Sequence, residues 1–550
     1  MKTLTSLHRR LHVVGACLTL LTPALAHAEP SLDGRWVGGF QGRHDMVAVD
    51  VRFSSTAEGA AAVMDVPLRA EFGIALQNIR QRGNKVSFEL PAANANMLFE
   101  GRIDDDGRLQ GSVRQGPSGY ARFELLKLVQ PTKTDLQGIF GTYRWDGDDE
   151  KVLLVTPSAD GAVYVDYDTG RTGTLYAVGR DRYIGGPSMG TGYPVAVDLT
   201  FTRGNDDTAT TVHLRRSGRT VAASRATYYE QEEVSFESGE VTIAGTLLRP
   251  AAPGPHPALV MIHGSGGVTR DVLRPFADHF ARNGVAVLIT DKRGAGASTG
   301  SWARATFDDL AADALAGVAF LRSRPDIRAS AVGLHGVSLG GWVAPLAASK
   351  SRDVAYVVVE SAPTLTPREH ERLRVESQLQ ADGFPREDVA RALAFMDLKF
   401  EVARTGEGWP RLHALMDDAA DTAWLAYTNP PTSLASLRWH WDHVFGYDPI
   451  PVLERLEVPM LVLYGELDTL VPPRVHRKRM EAALRAAGRH NVTIKVFDKA
   501  NHGFFEAITG GRLEQARLTS FVDGYFEQRT SWVLATVEDA ATQAADDTQD

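Results

Sequence analysis

Six largely apolar, strand-like runs, at residues 258–262, 285–290, 332–335, 354–359, 460–463 and 492–496, dominate the second half of the chain, with stretches of helical period between them. A strand with one wet face alternates apolar and polar residues, whereas a continuous Val/Ile/Leu run has no face suited to water. Such runs belong to parallel strands covered by helices on both sides. The pattern predicts an α/β domain with a mostly parallel sheet, opened by a hairpin over 234–248 that turns near Gly239. One flanking helix is explicit: Thr306 caps it with Asp309 three residues on, and Phe307, Leu310, Ala314, Val318 and Leu321 fall on one stripe.

The rest of the chain has a different texture. From Ser31 to about Tyr229 short alternating runs are separated by Gly, Asp and Asn, as at Arg82-Gly83-Asn84 and Asp104-Asp105-Asp106-Gly107, so hairpins are expected. A joint at 131–135 divides this β-rich region into modules at 29–130 and 131–230, and the α/β-domain follows over 231–535. Between about 363 and 447 the strand rhythm stops in favour of a polar, aromatic-rich helical pattern, which predicts a helical cap inserted between two strands. Residues 536–550 have no clear period and are expected to be disordered.

Lys2, Arg9 and Arg10, a short apolar stretch over 11–21, and Ala26-His27-Ala28 follow the order of a secretory signal peptide, residues 1–28. Export to the periplasm or medium is the expectation. The apolar stretch falls well short of the roughly 20 residues needed to span a bilayer, so no stable membrane insertion is expected. Val14-Gly15-Ala16-Cys17 is a loose lipidation box, and a lipoprotein is the weaker reading. Cys17 is the single cysteine, so the mature chain would lack disulfides, a catalytic thiolate and Cys-ligated zinc. Loss of Lys2, Arg9 and Arg10, with no acidic residue removed, takes the formal charge from −9 to −12. That balance disfavours nucleic acid and anionic lipid as partners and favours small-molecule chemistry.

Four polar motifs lie just past the C-terminal ends of these runs. These are His263-Gly264-Ser265-Gly266-Gly267, Gly336-Val337-Ser338-Leu339-Gly340, Gly465-Glu466-Leu467-Asp468 with Val471-Pro472, and Asn501-His502-Gly503. Loops at the carboxyl ends of parallel strands converge on one edge, where open α/β sheets bind ligands. G-x-S-x-G bends a strand sharply into a helix and holds its serine at the apex. Together with Asp291-Lys292-Arg293-Gly294-Ala295-Gly296-Ala297-Ser298 and Tyr447-Asp448-Pro449, these motifs give the segment from about Glu232 to Trp532 a specific resemblance. It resembles the α/β-hydrolase superfamily, in particular bacterial esterases related to serine aminopeptidases and dienelactone hydrolases.

The resemblance implies Ser338 as nucleophile, His502 as general base and then acid, and Asp468 as the carboxylate that orients the imidazole. It implies an oxyanion hole made by the backbone N–H groups of Leu339 and Ser265. Glu466 competes with Asp468 from two residues away, while His476, in a basic helical stretch, and His490 read as solvated. His263 is expected to brace its loop. The aromatic residues of the cap, Trp424, Tyr427, Trp439, Trp441, Phe445 and Tyr447, suit an acyl pocket and a cap core equally.

No cofactor or metal is expected. Gly300 stands one position late for a G-x-G-x-x-G dinucleotide loop, and neither a Gly-Lys-Ser/Thr phosphate loop nor an H-E-x-x-H helix occurs. The functional expectation is an exported serine hydrolase of carboxylic esters with a small-molecule substrate. A peptidase or thioesterase using the same three residues is the first alternative. An envelope- or glycan-binding protein with an incidental hydrolase domain is the second.

Overall fold

The structure, a computed structural model, describes residues 30–546 apart from short stretches at 43–45, 58, 93–95, 117–118, 148–150, 159–160 and 217. The signal-peptide segment and Cys17 lie outside the described residues.

Two β-structures precede the α/β domain. Residues 34–127 form a nine-stranded antiparallel sheet in which the first strand, Gly34–Gln41, pairs with both Met46–Thr56 and the last strand, Gly119–Lys127. Its core is aromatic: Phe88 stacks on Phe99 at 4.8 Å, and Phe53 and Phe123 meet Phe88 edge-on. Thr132 then caps a two-turn helix, Lys133–Ile139, through a reciprocal bond with Asp135. Eight further strands from Gly141–Trp145 to Arg219–Arg225 close into an antiparallel barrel, because the first pairs with the last, Tyr143 opposite Arg225. Tyr143, Leu153, Tyr183, Leu199 and Phe201 are buried in the barrel's core.

The α/β domain holds an eight-stranded sheet. Tyr229–Ser238 and Val241–Pro250 form the expected hairpin, and the second of these pairs antiparallel with Ala286–Thr290. From there the order is Ala286–Thr290, His256–Ile262, Ile327–Val337, Val357–Glu360, Met460–Gly465 and Val492–Phe497, all parallel neighbours. Successive residues point to opposite faces. Val260, Leu288 and Val462 therefore join one core cluster, while Met261, Ile289 and Leu463 join another across the sheet. Helix Phe307–Arg322 has the capping box that Thr306 and Asp309 predict, both halves formed.

Between strands Val357–Glu360 and Met460–Gly465 the chain makes five α-helices; Pro367–Ala381, Arg386–Thr405, Trp409–Asp418 and Leu434–His443 share a core of their own, while Ile450–Arg455 packs on the core of the sheet. The chain's end corrects the sequence reading. A helix, Tyr525–Asp546, runs through the segment expected to be disordered from 536. Ala, Gln and Glu are good helix formers, and Val533 and Val537 are buried against the α/β core, so packing at the start supports the turns that follow.

The barrel docks on this domain through buried polar contacts. Thr142 Oγ1 donates to Asp278 Oδ1 at 2.8 Å, and the Tyr167 hydroxyl donates to the Pro275 carbonyl at 2.6 Å.

Candidate active site

Strand Ile327–Val337 turns into helix Gly340–Lys350 at Ser338, whose φ of 55° is the strained left-handed value expected of such an apex. The flanking glycines are steric necessities. A Cβ on Gly336 would lie 2.2 Å from the Gly340 carbonyl oxygen, and one on Gly340 would lie 2.7 Å from that of Ile262. The turn is tied to the neighbouring strand because Ser338 N–H donates to the Glu360 carbonyl at 2.9 Å.

The loop after strand His256–Ile262 packs against the same apex. A Cβ on Gly264 would touch Ser338 Cβ at 3.5 Å and come within 4.0 Å of its Oγ, so the loop backbone borders the hydroxyl. Among the described residues, no backbone carbonyl accepts the N–H of Ser265 or of Leu339, which stands at the start of helix Gly340–Lys350. Both donors are free for a ligand, and the helix dipole favours negative charge at the second. His263 is buried, and burial with the nearby Lys292 cation pushes its imidazole down to about 4, so it is neutral.

Asp468 and His502 meet at the far side. His502 Nδ1 donates to Asp468 Oδ2 at 2.9 Å, while Asp468 Oδ1 accepts the N–H groups of Leu470 and Val471 at 2.9 and 2.7 Å. Burial opposes the carboxylate's charge, but His502 and these donors hold Asp468 below its usual range. Burial likewise opposes the imidazolium, and the adjacent Asp468 outweighs it, raising His502 above its ordinary value. With Nδ1–H committed to Asp468, Nε2 of the neutral ring is an acceptor. The competitor Glu466 is exposed and accepts the Lys499 N–H instead.

Adjacent strands bring these pieces to one edge. Ser361, directly after the Glu360 that receives Ser338 N–H, donates its Oγ to the His502 carbonyl at 3.4 Å. His502 makes its side-chain hydrogen bond to Asp468, and Ser338 Oγ makes none among the described residues. The hydroxyl and Nε2 thus share an edge without a hydrogen bond between them, the loose arrangement common before a substrate enters.

Several groups at this edge carry no obvious sequence signal. Glu360 sits fully buried beneath the turn, its carboxylate bound by His335 Nε2 at 2.9 Å, the Tyr525 hydroxyl at 2.7 Å and Arg529 Nη1 at 3.2 Å. Burial opposes its ionisation, but His335 and Arg529 hold it down at about 2. His476 corrects the expectation of a solvated residue. It is wholly buried, accepts the Thr364 N–H on Nδ1 at 2.9 Å and faces His370 Nδ1 across 3.4 Å. His490 is exposed, as expected. Of the cap aromatics, Trp424 and Tyr427 are buried in the cap's own core, with Trp441 and Phe445 packed against it. Tyr447 packs on Phe307 at 4.5 Å, below the cap.

The segment that follows His502 is held by all the surrounding parts. Phe505 bridges Phe521, and Ser520 bridges Arg171 at a barrel turn. Asp382, beyond the first cap helix, accepts the N–H groups of Arg512 and Leu513, while Arg517 donates to the Leu68 carbonyl of the first β-structure.

Comparison with known proteins agrees with this architecture. Residues 253–507 match the family profile described as serine aminopeptidase, S33. Esterase EstD of Thermotoga maritima is 27% identical over 282 residues, 49% of this chain and 60% of the relative. Quorum-quenching protein AidA of Acinetobacter baumannii is 34% identical over 128 residues, 23% and 42% of the two chains. The chain thus spans about two-fifths to three-fifths of the length of these curated relatives. Among solved structures, the Pyrococcus furiosus esterase Pf2001 aligns with 56% of this chain and 91% of its own at 18% identity and a TM-score of 0.36. Over residues 253–507, a little under half of its length, this chain is thus similar to the serine aminopeptidase, S33 family.

Proposed function

We propose that the chain is an exported serine hydrolase that cleaves carboxylic esters through an acyl-enzyme formed on Ser338. The observation that carries this reading is the Asp468–His502 pair, with its free Nε2, at the same sheet edge as the strained Ser338. His502 Nε2 takes the hydroxyl proton as Ser338 Oγ bonds to the substrate's carbonyl carbon. The developing oxyanion is received by the N–H groups of Ser265 and Leu339, a donor pair of which each member supplies ~3 kcal/mol of transition-state stabilisation. The imidazolium then protonates the departing alcohol as the C–O bond breaks. Water, deprotonated by the same ring, attacks the acyl-enzyme; the proton returns to Ser338 and the acid leaves. No step calls for a cofactor or metal.

The relatives named as esterases support ester cleavage, and export rests on the character of residues 1–28. Two observations favour variants of the same chemistry: the matched profile is described as a serine aminopeptidase, and Thiohydrolase aneE of Aspergillus aculeatus is 35% identical over 133 residues. The test is turnover of short-chain p-nitrophenyl esters, thioesters and aminoacyl anilides by wild type and Ser338→Ala. Ester hydrolysis that falls by about 10⁶-fold in the variant is expected. Equal turnover by both proteins overturns the reading, and preference for anilides makes the enzyme a peptidase.

A further inference from the structure

Lys292 directly follows strand Ala286–Thr290 and Asp291, beside the 264–268 loop. Its side chain is 7% exposed, yet among the described residues no carboxylate lies within ion-pair distance of it. The charged groups around it are already engaged. Asp291 is held by Arg270 through a bidentate pair and by the N–H of Ala297, Arg293 is paired with Asp313, and His263 is neutral. The hydrogen bond that Lys292 Nζ makes is to the carbonyl oxygen of Gly264. Its own backbone N–H donates to the Val268 carbonyl at 3.1 Å, so one residue grips both ends of the 264–268 loop.

The peptide that Lys292 grips is the one whose other end is Ser265 N–H. In a trans peptide the C=O and N–H point in opposite directions. A cation drawing the Gly264 oxygen to one side therefore sends the Ser265 N–H to the other, and the Gly264 α-carbon borders Ser338. Glycine at 264 and 266 leaves the backbone free to rotate, so the orientation needs an external anchor. A charge-assisted bond, about twice as strong as a neutral one, supplies it, and polarising the carbonyl also makes the N–H a better donor.

We propose that Lys292 is a positioning residue that fixes and polarises the Gly264–Ser265 peptide, so that its N–H is aimed at the substrate oxyanion. The inference rests on the serine-hydrolase reading above. Lys292 acts through the peptide and does not touch substrate. Burial pushes its ammonium down to about 8, so the grip is at full strength below that pH and weakens above it, as the charge is lost.

The experiment compares wild type, Lys292→Met and Lys292→Arg by kcat, KM and their pH dependence on a p-nitrophenyl ester, with Ser338→Ala alongside and circular dichroism as a check on folding. Expected for Lys292→Met is a fall in kcat of about 10²-fold with KM changed less than about threefold. Wild type should show an alkaline decline near pH 8 that Lys292→Met lacks, and Lys292→Arg should recover part of the rate with the decline moved to higher pH. A merely structural lysine would leave the alkaline limb in place. Wild-type kcat and limb in Lys292→Met overturn the proposal while Ser338→Ala is inactive; turnover by Ser338→Ala instead brings down the underlying reading. If Lys292→Met does not fold, Lys292→Gln, a neutral donor, takes its place, and a wild-type profile flat across pH 8 is itself contradictory.

Discussion

His502 Nδ1 stands 2.9 Å from Asp468 Oδ2, and the carboxylate it faces is fully enclosed. The pairing does two jobs: it fixes the tautomer that leaves Nε2 as a base, and it outweighs burial so that the ring gains a proton more readily than an ordinary histidine.

The acid limb of the pH profile follows from that pairing. General-base catalysis needs neutral His502, so kcat/KM should rise with pH around a midpoint above the ordinary imidazole value of about 6.5. In Asp468→Asn, burial acts without the opposing charge, so the midpoint should move to lower pH, and kcat should drop by about 10⁴-fold as the tautomer is lost. A kcat/KM profile of both proteins checks this, and an unmoved midpoint contradicts it.

Arg529 is wholly buried, with its guanidinium over the rings of Tyr525, Phe526, Phe280 and Phe276 at 4.4–5.3 Å and one N–H on Glu360. Arg529→Met removes a cation that offsets a buried carboxylate, a change that costs about 3 kcal/mol or more. A lower urea midpoint at unchanged slope is expected. Glu360 ties the same network to the Ser338 turn, so its acid sensitivity has a sign. A carboxyl held at about 2 stabilises fully above about 4.5, and the contribution is lost as pH falls towards 2. Wild-type stability in Arg529→Met would contradict this.

Coupling of the barrel to the His502 loop is open to a backbone test. Gly170 has a φ of 65°, and a Cβ there would lie 2.8 Å from the Phe521 carbonyl oxygen, across the Phe521 N–H to Gly170 carbonyl bond of 2.9 Å. Gly170→Ala should push segment 519–521 away from the barrel and, through the Phe505–Phe521 bridge, loosen the loop that carries His502. A loss of kcat/KM of about 10-fold is expected, given that a 1 Å misplacement can cost 10²-fold. Hydrogen exchange over 503–522 should quicken in step. Unchanged exchange and turnover would show that the barrel is only tethered to the α/β domain.

Much of the edge was readable because each motif follows an apolar run, and a strand buried on both faces leaves few places for its end. Asp468 was separable from Glu466 only through the G-x-x-D-x-x-V-P spacing, and the structure adds the reason: Val471 N–H reaches back to Asp468 while Glu466 faces solvent. Barrel closure was not readable, because the pairing of Tyr143 with Arg225 spans the whole module and alternation within a strand says nothing about its partner. His476 was hidden by Arg474, Arg477, Lys478 and Arg479 around it. Its inward stripe with Met480, Ala483 and Leu484 was nevertheless present at helical spacing. Lys292, between an aspartate and an arginine, looks like any solvated charge run, and only the fold shows that its neighbours are already paired.

Mass spectrometry of the protein after treatment with a small fluorophosphonate tests the assignment of the nucleophile. One adduct per chain is expected, on the peptide containing Ser338, absent from Ser338→Ala and formed far more slowly in His502→Ala. An adduct on another residue, or labelling of Ser338 that is indifferent to His502, would contradict it.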